Sequence, residues 1–175
     1  REAGEALATS TRISKIAFTG STAVGQRILR AAAESLIPST VELGGKSPNI
    51  FFADVLDADD EFLDKALEGF SMFALNQGEI CTCPSRILIQ ESAYERFIER
   101  AVARVQAMKQ GHPLDKTTMV GAQVSQAQLD RILGYIDIGR EEGAQCLTGG
   151  ERHRPGAEID DGYFMALAMA QGIDA

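Results

Sequence analysis

A single thiol in this chain stands where a nucleophile would be expected. Cys81 follows the segment Asn-Gln-Gly-Glu-Ile and lies close to Pro84, so it is predicted to sit in a turn between a helix and a strand. An accessible thiol in such a turn suits nucleophilic catalysis, whereas a small core residue is the alternative at the same position. A metal site on Cys81 and Cys83 would need further soft ligands, and His112 and His153 are distant in sequence.

A carboxylate, Glu42, is the second candidate. It lies between Val41 and Leu43, directly before Gly44 and Gly45. Apolar neighbours in a turn predict partial desolvation, which makes a carboxylate a better general base. An exposed loop carboxylate is the alternative.

A glycine turn is the third candidate. Residues 18–25, Phe-Thr-Gly-Ser-Thr-Ala-Val-Gly, join a predicted strand to a predicted helix. Such a turn presents backbone N–H groups and the positive end of a helix dipole to an anion, and the phosphate of a nucleotide is the natural ligand. The turn matches neither the dinucleotide fingerprint nor a P-loop, and a purely structural glycine cap is the alternative.

Strands that alternate with helices must position these groups. Short apolar runs predict strands at 15–19, 49–53, 86–89 and 145–148, with a brief extended segment at Val41. Residues 2–10 are rich in Ala and Glu and are interpreted as the end of a helix. Helical spacing of apolar residues predicts further helices from the cap Ser21 to before Pro38, from about 61 towards 76–78, over about 93–110 with Gly111 as its cap, and up to Gly143. This alternation predicts an α/β fold with largely parallel strand pairing.

Composition narrows the class of protein. Hydrophobic residues make up 45% of the chain, which is enough for a packed core. The formal net charge of −8 argues against nucleic acid and anionic membrane surfaces as partners, and no apolar run approaches the ~18 residues of a membrane span. With three cysteines and no visible signal peptide, we expect a reduced, cytoplasmic setting without a disulfide framework.

An acidic stretch runs from Asp54 to Asp64. We interpret it as the solvated start of a helix, where carboxylates complement the helix dipole. A calcium loop is the alternative, although the spacing and the glycine of an EF-hand loop are absent.

The candidate segments, taken in order, resemble the NAD(P)-dependent aldehyde dehydrogenase superfamily. The motifs are Phe18-Thr19-Gly20-Ser21-Thr22-x-x-Gly25, then Glu42-Leu43-Gly44-Gly45-Lys46-Ser47-Pro48, then Asn76-Gln77-Gly78-Glu79-x-Cys81. The resemblance continues through Gly111-His112-Pro113-Leu114, the segment 132–136, Gly149-Gly150 and Gly162-Tyr163-Phe164, and covers about residues 1–165. Residues 78–86 are most similar to the bacterial acetaldehyde or broad-specificity aliphatic aldehyde branch.

The resemblance implies a role for each matching residue. Cys81 corresponds to the nucleophile and Glu42 to the general base, whereas Cys83 and Cys146 have no implied role. The implied substrate is an aldehyde, and the implied cofactor is NAD, with NADP as the alternative. The implied cofactor contacts are Thr19, Gly20 and Ser21 in the turn, Leu43 and Gly44 beside the nicotinamide, and Gln128 and Arg131 near the ribose, with Arg131 where lysine is more usual.

The implied reaction passes through a covalent intermediate. The Cys81 thiolate attacks the aldehyde to give a thiohemiacetal, whose oxyanion the Cys81 backbone N–H helps to hold. Loss of hydride leaves a thioester, and Glu42 then activates the water that hydrolyses it.

The resemblance also implies a domain organisation. Residues 1–45 would form the C-terminal part of a Rossmann-like NAD-binding domain, residues 46–165 part of an α/β catalytic domain, and residues 166–175 a divergent tail. We therefore expect the chain to be a fragment of an enzyme that is a homo-oligomer when complete. The alternatives are an inactive remnant or interaction module derived from that enzyme, and a CoA-acylating relative, against which Glu42 argues mildly.

Overall fold

The computed structural model describes residues 2–156 and 158–172. The chain forms two compact units, Arg1–Lys46 and Ser47–Ala175. Each unit combines strands with helices, so the predicted α/β class is confirmed. The assignment of the two stretches to a nucleotide-binding and a catalytic domain stays a prediction. Residues 173–175 of the predicted tail lie outside the described residues.

The first unit is built around two parallel strands. Its elements are α1 (Glu2–Ala8), β1 (Ile16–Thr19), α2 (Thr22–Glu34) and β2 (Ser39–Glu42). The predicted cap is confirmed, because the Ser21 side chain accepts a hydrogen bond from the backbone N–H of Val24. Strand β1 pairs with β2 in parallel, with Ile16 opposite Ser39 and Thr19 opposite Glu42.

The second unit holds the remaining elements. They are β3 (Pro48–Phe51), α3 (Glu61–Ser71), β4 (Arg86–Ile89), α4 (Tyr94–Gln106), α5 (Gln126–Glu141), β5 (Gln145–Thr148) and β6 (Met169–Gln171), with short 3-10 turns at Ala53–Leu56, Met72–Gly78 and Glu91–Ala93. Strands β3 and β4 pair in parallel, whereas β5 and β6 pair antiparallel. Two of the three strand pairs in the described part of the chain are therefore parallel, as the alternation of strands and helices predicts.

The acidic stretch begins α3. Asp60 is the cap residue, and its side chain accepts hydrogen bonds from the backbone N–H groups of Phe62 and Leu63 at 2.9 and 3.3 Å. Asp59 pairs with Arg100 of α4, and this hydrogen bond and the guanidinium charge lower the pKa of Asp59. These carboxylates thus cap a helix and tie it to its neighbour, and no group of three potential metal ligands occurs among the residues that the structure describes.

An aromatic cluster forms the core of the second unit. The ring of Phe97 on α4 packs on Phe51 of β3 and Phe70 of α3, with centroid separations of 4.5 and 5.7 Å. Leu63, Leu67, Ala101 and Val105 complete this apolar contact between α3 and α4. Phe97, Ala101 and Val105, spaced four residues apart, form the buried face of α4.

Two predicted helix ends are wrong. Helix α4 ends at Gln106, and Gly111 does not cap it, because the Gly111 backbone N–H donates to the carbonyl of Val120 in the following loop. Helix α3 ends at Ser71 as an α-helix, and a 3-10 segment over Met72–Gly78 follows, in which the helical backbone stops at Leu75 and becomes left-handed at Asn76. No helix among the described residues has the length and hydrophobicity needed to cross a membrane.

Truncation of Phe97 is expected to weaken this core strongly. The side chain is fully buried, so Phe97→Ala removes ring contacts and leaves a cavity, which should lower the free energy of unfolding by about 3–5 kcal/mol. Urea unfolding followed by circular dichroism measures this loss. The matched control is Phe62→Ala, because Phe62 is 58% exposed on the neighbouring helix, and equal losses for both variants would contradict the assignment of the core.

Candidate active site

Glu42 and the glycine turn lie at one edge of the first sheet. Thr19 and Glu42 are opposite one another as the last residues of the parallel strands β1 and β2, and the Gly20 backbone N–H donates to the Glu42 carbonyl at 3.0 Å. The carboxyl ends of parallel strands are the usual place for ligands in α/β proteins. The structure therefore brings together two of the three segments singled out from the sequence.

Helix α2 begins at this edge. Thr19, Gly20 and Ser21 are exposed, and the helix runs for 13 residues from Thr22. The backbone N–H groups of its first turn and its positive dipole end can hold a phosphate, which is the chemistry expected of the turn. A side chain at the buried Gly25 of this helix would displace the Leu43 side chain, because a Cβ there would lie 2.5 Å from Leu43 Cδ2.

The residue directly after Glu42 contacts α2. Leu43 is half-buried, and its side chain packs against the helix at Gly25. The Glu42 side chain itself is exposed, and the predicted partial desolvation is wrong for this chain. Glu42 is the last residue of β2, and the nearby Gly44 and Gly45 have no side chains that could shield its carboxylate from water.

Cys81 follows a turn with unusual backbone. Asn76, Gln77 and Gly78 have φ angles of 47°, 60° and 75°, which place three consecutive residues in the left-handed region. Residues with a Cβ adopt this region at a cost, and such conformations concentrate at functional sites. Cys81 is exposed shortly after this turn, as a nucleophile requires.

The other two thiols are placed differently. Cys83 is 9% exposed, and its Sγ donates to the carbonyl of Leu75 at 3.5 Å. Cys146 is half-buried on β5, with its Sγ directed to the carbonyl of Thr148 at 3.2 Å. Of the three cysteines, Cys81 alone presents an exposed thiol.

A second loop holds the turn before Cys81. The Gln77 side-chain amide donates to the carbonyl of Ala122 at 3.0 Å, and the Gln123 amide donates to the carbonyl of Gln77 at 3.2 Å. A Glu79 carboxylate oxygen accepts from the backbone N–H of Val124 at 3.1 Å. Sequence reasoning missed Gln123, because no local pattern marks a contact between positions so far apart in the chain.

Gln128 and Arg131 both lie on α5. Gln128 is half-buried in the first turn, where its backbone N–H donates to the cap hydroxyl of Ser125 at 3.2 Å, and Arg131 is exposed one turn later. Residues three apart share a helix face, so both side chains can contact one ligand. Cys81 and these two residues belong to the second unit, and the turn with Glu42 belongs to the first.

The whole chain, residues 1–175, matches the model of the aldehyde dehydrogenase family. It is 66% identical over 171 residues to acetaldehyde dehydrogenase 2 of Cupriavidus necator and 64% identical over 169 residues to aldehyde dehydrogenase B of Escherichia coli. A long-chain-aldehyde dehydrogenase of an Acinetobacter species is 60% identical over 171 residues.

These matches cover 97–98% of this chain and 33–34% of the relatives, so the chain spans about a third of the length of the curated relatives it matches. Among solved structures, the NAD+ complex of an aldehyde dehydrogenase from Bacillus cereus superposes with a TM-score of 0.85 at 35% identity. HpcC from Thermus thermophilus gives a TM-score of 0.86 at 39% identity, and both alignments cover 98% of this chain and 33% of the other.

Proposed function

The chain belongs to the aldehyde dehydrogenase family, and from that premise we propose that it supplies the nucleophile and the general base for oxidation of an aldehyde to a carboxylic acid. The observation that carries this proposal is the contrast between the thiols: Cys81 is exposed after a left-handed turn, whereas Cys83 is buried with its thiol directed to a carbonyl. A strained turn that presents one thiol suits covalent catalysis.

The cofactor site proposed for NAD, or for NADP, uses groups that fit it. Thr19, Gly20 and Ser21 form the exposed turn that leads into α2, and the N–H groups in the first turn of that helix, with its positive dipole end, are proposed to hold the pyrophosphate. Leu43 and Gly44 are proposed beside the nicotinamide, and Gln128 and Arg131 near a ribose. When bound, the nicotinamide accepts the hydride released from the substrate carbon.

The residues of this chain carry the remaining chemistry. The Cys81 sulfur forms a bond to the carbonyl carbon, and the carbonyl oxygen becomes an oxyanion that the Cys81 backbone N–H helps to stabilise. After oxidation the acyl group is held on Cys81 as a thioester. Glu42 then takes a proton from water as the water attacks, which releases the carboxylic acid and restores the thiol. Glu42 is also a candidate to deprotonate the thiol before attack.

We also propose a cytoplasmic, homo-oligomeric enzyme without nucleic-acid or membrane partners. Three free thiols suit a reducing compartment, and a net charge of −8 opposes binding to polyanions. Large apolar side chains such as Leu29 and Leu36 are exposed on the first unit, and exposed apolar surface of this kind favours association.

Product analysis of the complete polypeptide that carries this sequence tests the proposed reaction. We expect NADH to form from NAD with aldehydes from acetaldehyde to long-chain aldehydes, together with an equal amount of carboxylic acid, whether CoA is present or absent. An acyl-CoA product would contradict hydrolysis by Glu42 and favour the CoA-acylating alternative. No NADH with any aldehyde, from protein that unfolds cooperatively, would favour the inactive remnant.

A further inference from the structure

The turn before Cys81 is held by two hydrogen bonds that run in opposite directions between the same two segments. Gln77 donates from its side chain to the backbone of Ala122, and its backbone carbonyl accepts from the side chain of Gln123, at 3.0 and 3.2 Å. We call Gln77, Ala122 and Gln123 the glutamine clamp. A reciprocal pair fixes both the side chain and the peptide of Gln77, which a single bond would not do.

The backbone at this point needs such support. Asn76 and Gln77 adopt left-handed φ angles although both carry a Cβ, which clashes with neighbouring backbone in that region. These conformations persist only where the surroundings hold them. Gln77 lies in the middle of the left-handed turn and makes both hydrogen bonds of the glutamine clamp.

Gln123 is buried in a way that packing alone does not explain. It is 8% exposed, and its amide nitrogen serves Gln77, yet its Oε1 is buried with no partner among the described residues. An unpaired buried oxygen destabilises a fold, and an apolar side chain would fill the same space without that cost. The hydrogen bond from the Gln123 amide N–H to Gln77 is therefore the interaction that accounts for a glutamine at this position.

The loop that carries Gln123 is itself anchored. The Gln123 backbone N–H donates to the carbonyl of Tyr163 at 2.9 Å, and Glu79 bonds to the next residue, Val124. Upstream, the carbonyl of Lys109 accepts from the backbone N–H groups of Met119 and Val120. A loop fixed at both ends is a suitable support for a strained turn.

An ion pair also stabilises the upstream part of this loop. Asp115 accepts hydrogen bonds from the ammonium of Lys109 at 2.7 Å and from the backbone N–H of Thr117 at 2.9 Å. These contacts hold the pKa of Asp115 well below its usual range. The loop is therefore braced by its own charges as well as by its backbone.

We propose that Gln77 and Gln123 are positioning residues for the nucleophile. By holding the left-handed turn, the clamp fixes the direction from which Cys81 leaves it and so aligns the thiol for attack on the carbonyl. The inference rests on the proposed function of Cys81. Misplacement of a reacting group by about 1 Å costs on the order of 100-fold in rate, so loss of the clamp should be visible in turnover.

The test is Gln123→Met in the complete polypeptide that carries this sequence. Methionine is similar in length. It removes the hydrogen bond to Gln77, which lowers the free energy of unfolding, and the unpaired oxygen, which raises it, so the two effects oppose each other. We expect kcat to fall at least about tenfold with KM nearly unchanged, while Tm shifts by less than about 3 °C. Amide exchange should rise at Glu79 and Cys83, whose N–H groups bond within this segment at 3.0 and 3.2 Å, and stay unchanged in α4.

Two further variants make the result decisive. Gln126→Met is the matched control, because Gln126 is exposed on α5 and its amide donates to the neighbouring Asp130, and the kcat of this variant should equal that of the unmodified protein. Gln77→Met removes the other half of the clamp at a half-buried position and should also lower kcat, which keeps the proposal testable if Gln123→Met does not fold.

An unchanged kcat in a clamp variant would overturn the proposal. A fall in kcat accompanied by a matching loss of Tm, with unchanged exchange at Glu79 and Cys83, would also overturn it and leave Gln123 as a structural residue. Failure of the proposed function looks different: Cys81→Ser would then retain full activity, whatever the clamp variants do.

Discussion

Cys81→Ser in the complete polypeptide that carries this sequence is expected to lower kcat for aldehyde oxidation by at least about 10⁴-fold. The serine hydroxyl is far less nucleophilic than a thiolate at neutral pH, and an oxygen ester would replace the thioester on which the proposed hydrolysis depends. Because Cys81 is exposed, the substitution removes few packing contacts, so Tm should change little. NADH production under saturating NAD and aldehyde measures the loss.

Cys83→Ser is the matched control for this result. The Cys83 thiol is buried and directed to the carbonyl of Leu75, and a hydroxyl can make the same hydrogen bond, so turnover should stay within a few-fold of the unmodified protein. Mass spectrometry of enzyme quenched during turnover should find the acyl group on Cys81. Full activity of Cys81→Ser, or an acyl group on Cys83, would contradict the assignment of the nucleophile.

Local patterns predict most elements of this fold. The apolar runs become β1, β3, β4 and β5, and Ser21 caps α2, because a short polar side chain before a helical apolar pattern can bond to the first free N–H groups. The apolar pattern does not mark the end of α4. Apolar residues continue past Gln106 to Met108, whereas the backbone groups of Lys109 and Gly111 bond to the following loop at Met119 and Val120 instead of continuing the helix.

The candidate site is predictable in part. Glycine and proline around Cys81 indicate a turn, and the structure has one there. Asn76 and Gly78 are residue types that tolerate left-handed backbone, but no local signal marks the left-handed conformation of Gln77. The contact of Gln123 with Gln77 is non-local and depends on the path of the loop between α4 and α5. A hydrogen bond of this kind leaves no periodic trace, so only the folded chain reveals it.

The parallel pairing of β1 and β2 sets the ends of these strands side by side. The exposed carboxylate of Glu42 therefore lies at the same edge of the sheet as the first turn of α2. A general base at that edge would be next to a site for a nucleotide phosphate. The exposure of Glu42 means that its proposed role depends on what surrounds it during turnover rather than on burial within this chain.

Glu42→Gln is expected to block the second half of the reaction rather than the first. Without a carboxylate to accept the proton from water, hydrolysis of the thioester should slow, and steady-state kcat should fall by about 10²–10⁴-fold. The first turnover should still release NADH as a burst that is stoichiometric with Cys81, followed by a slow phase. Stopped-flow measurement of NADH separates the two phases, and the acyl enzyme should accumulate to a level that intact mass spectrometry can detect.

Hydroxylamine distinguishes a role of Glu42 in hydrolysis of the thioester from a role in a step before the thioester forms. It attacks a thioester without help from a base, so it should restore turnover of Glu42→Gln and yield a hydroxamate. The control is Glu34→Gln, an exposed glutamate at the end of α2, which should keep both the burst and the steady rate. A variant that loses the burst and does not respond to hydroxylamine would show that Glu42 acts before the thioester forms, as the base that deprotonates Cys81, because hydroxylamine can only accelerate a step that follows acylation.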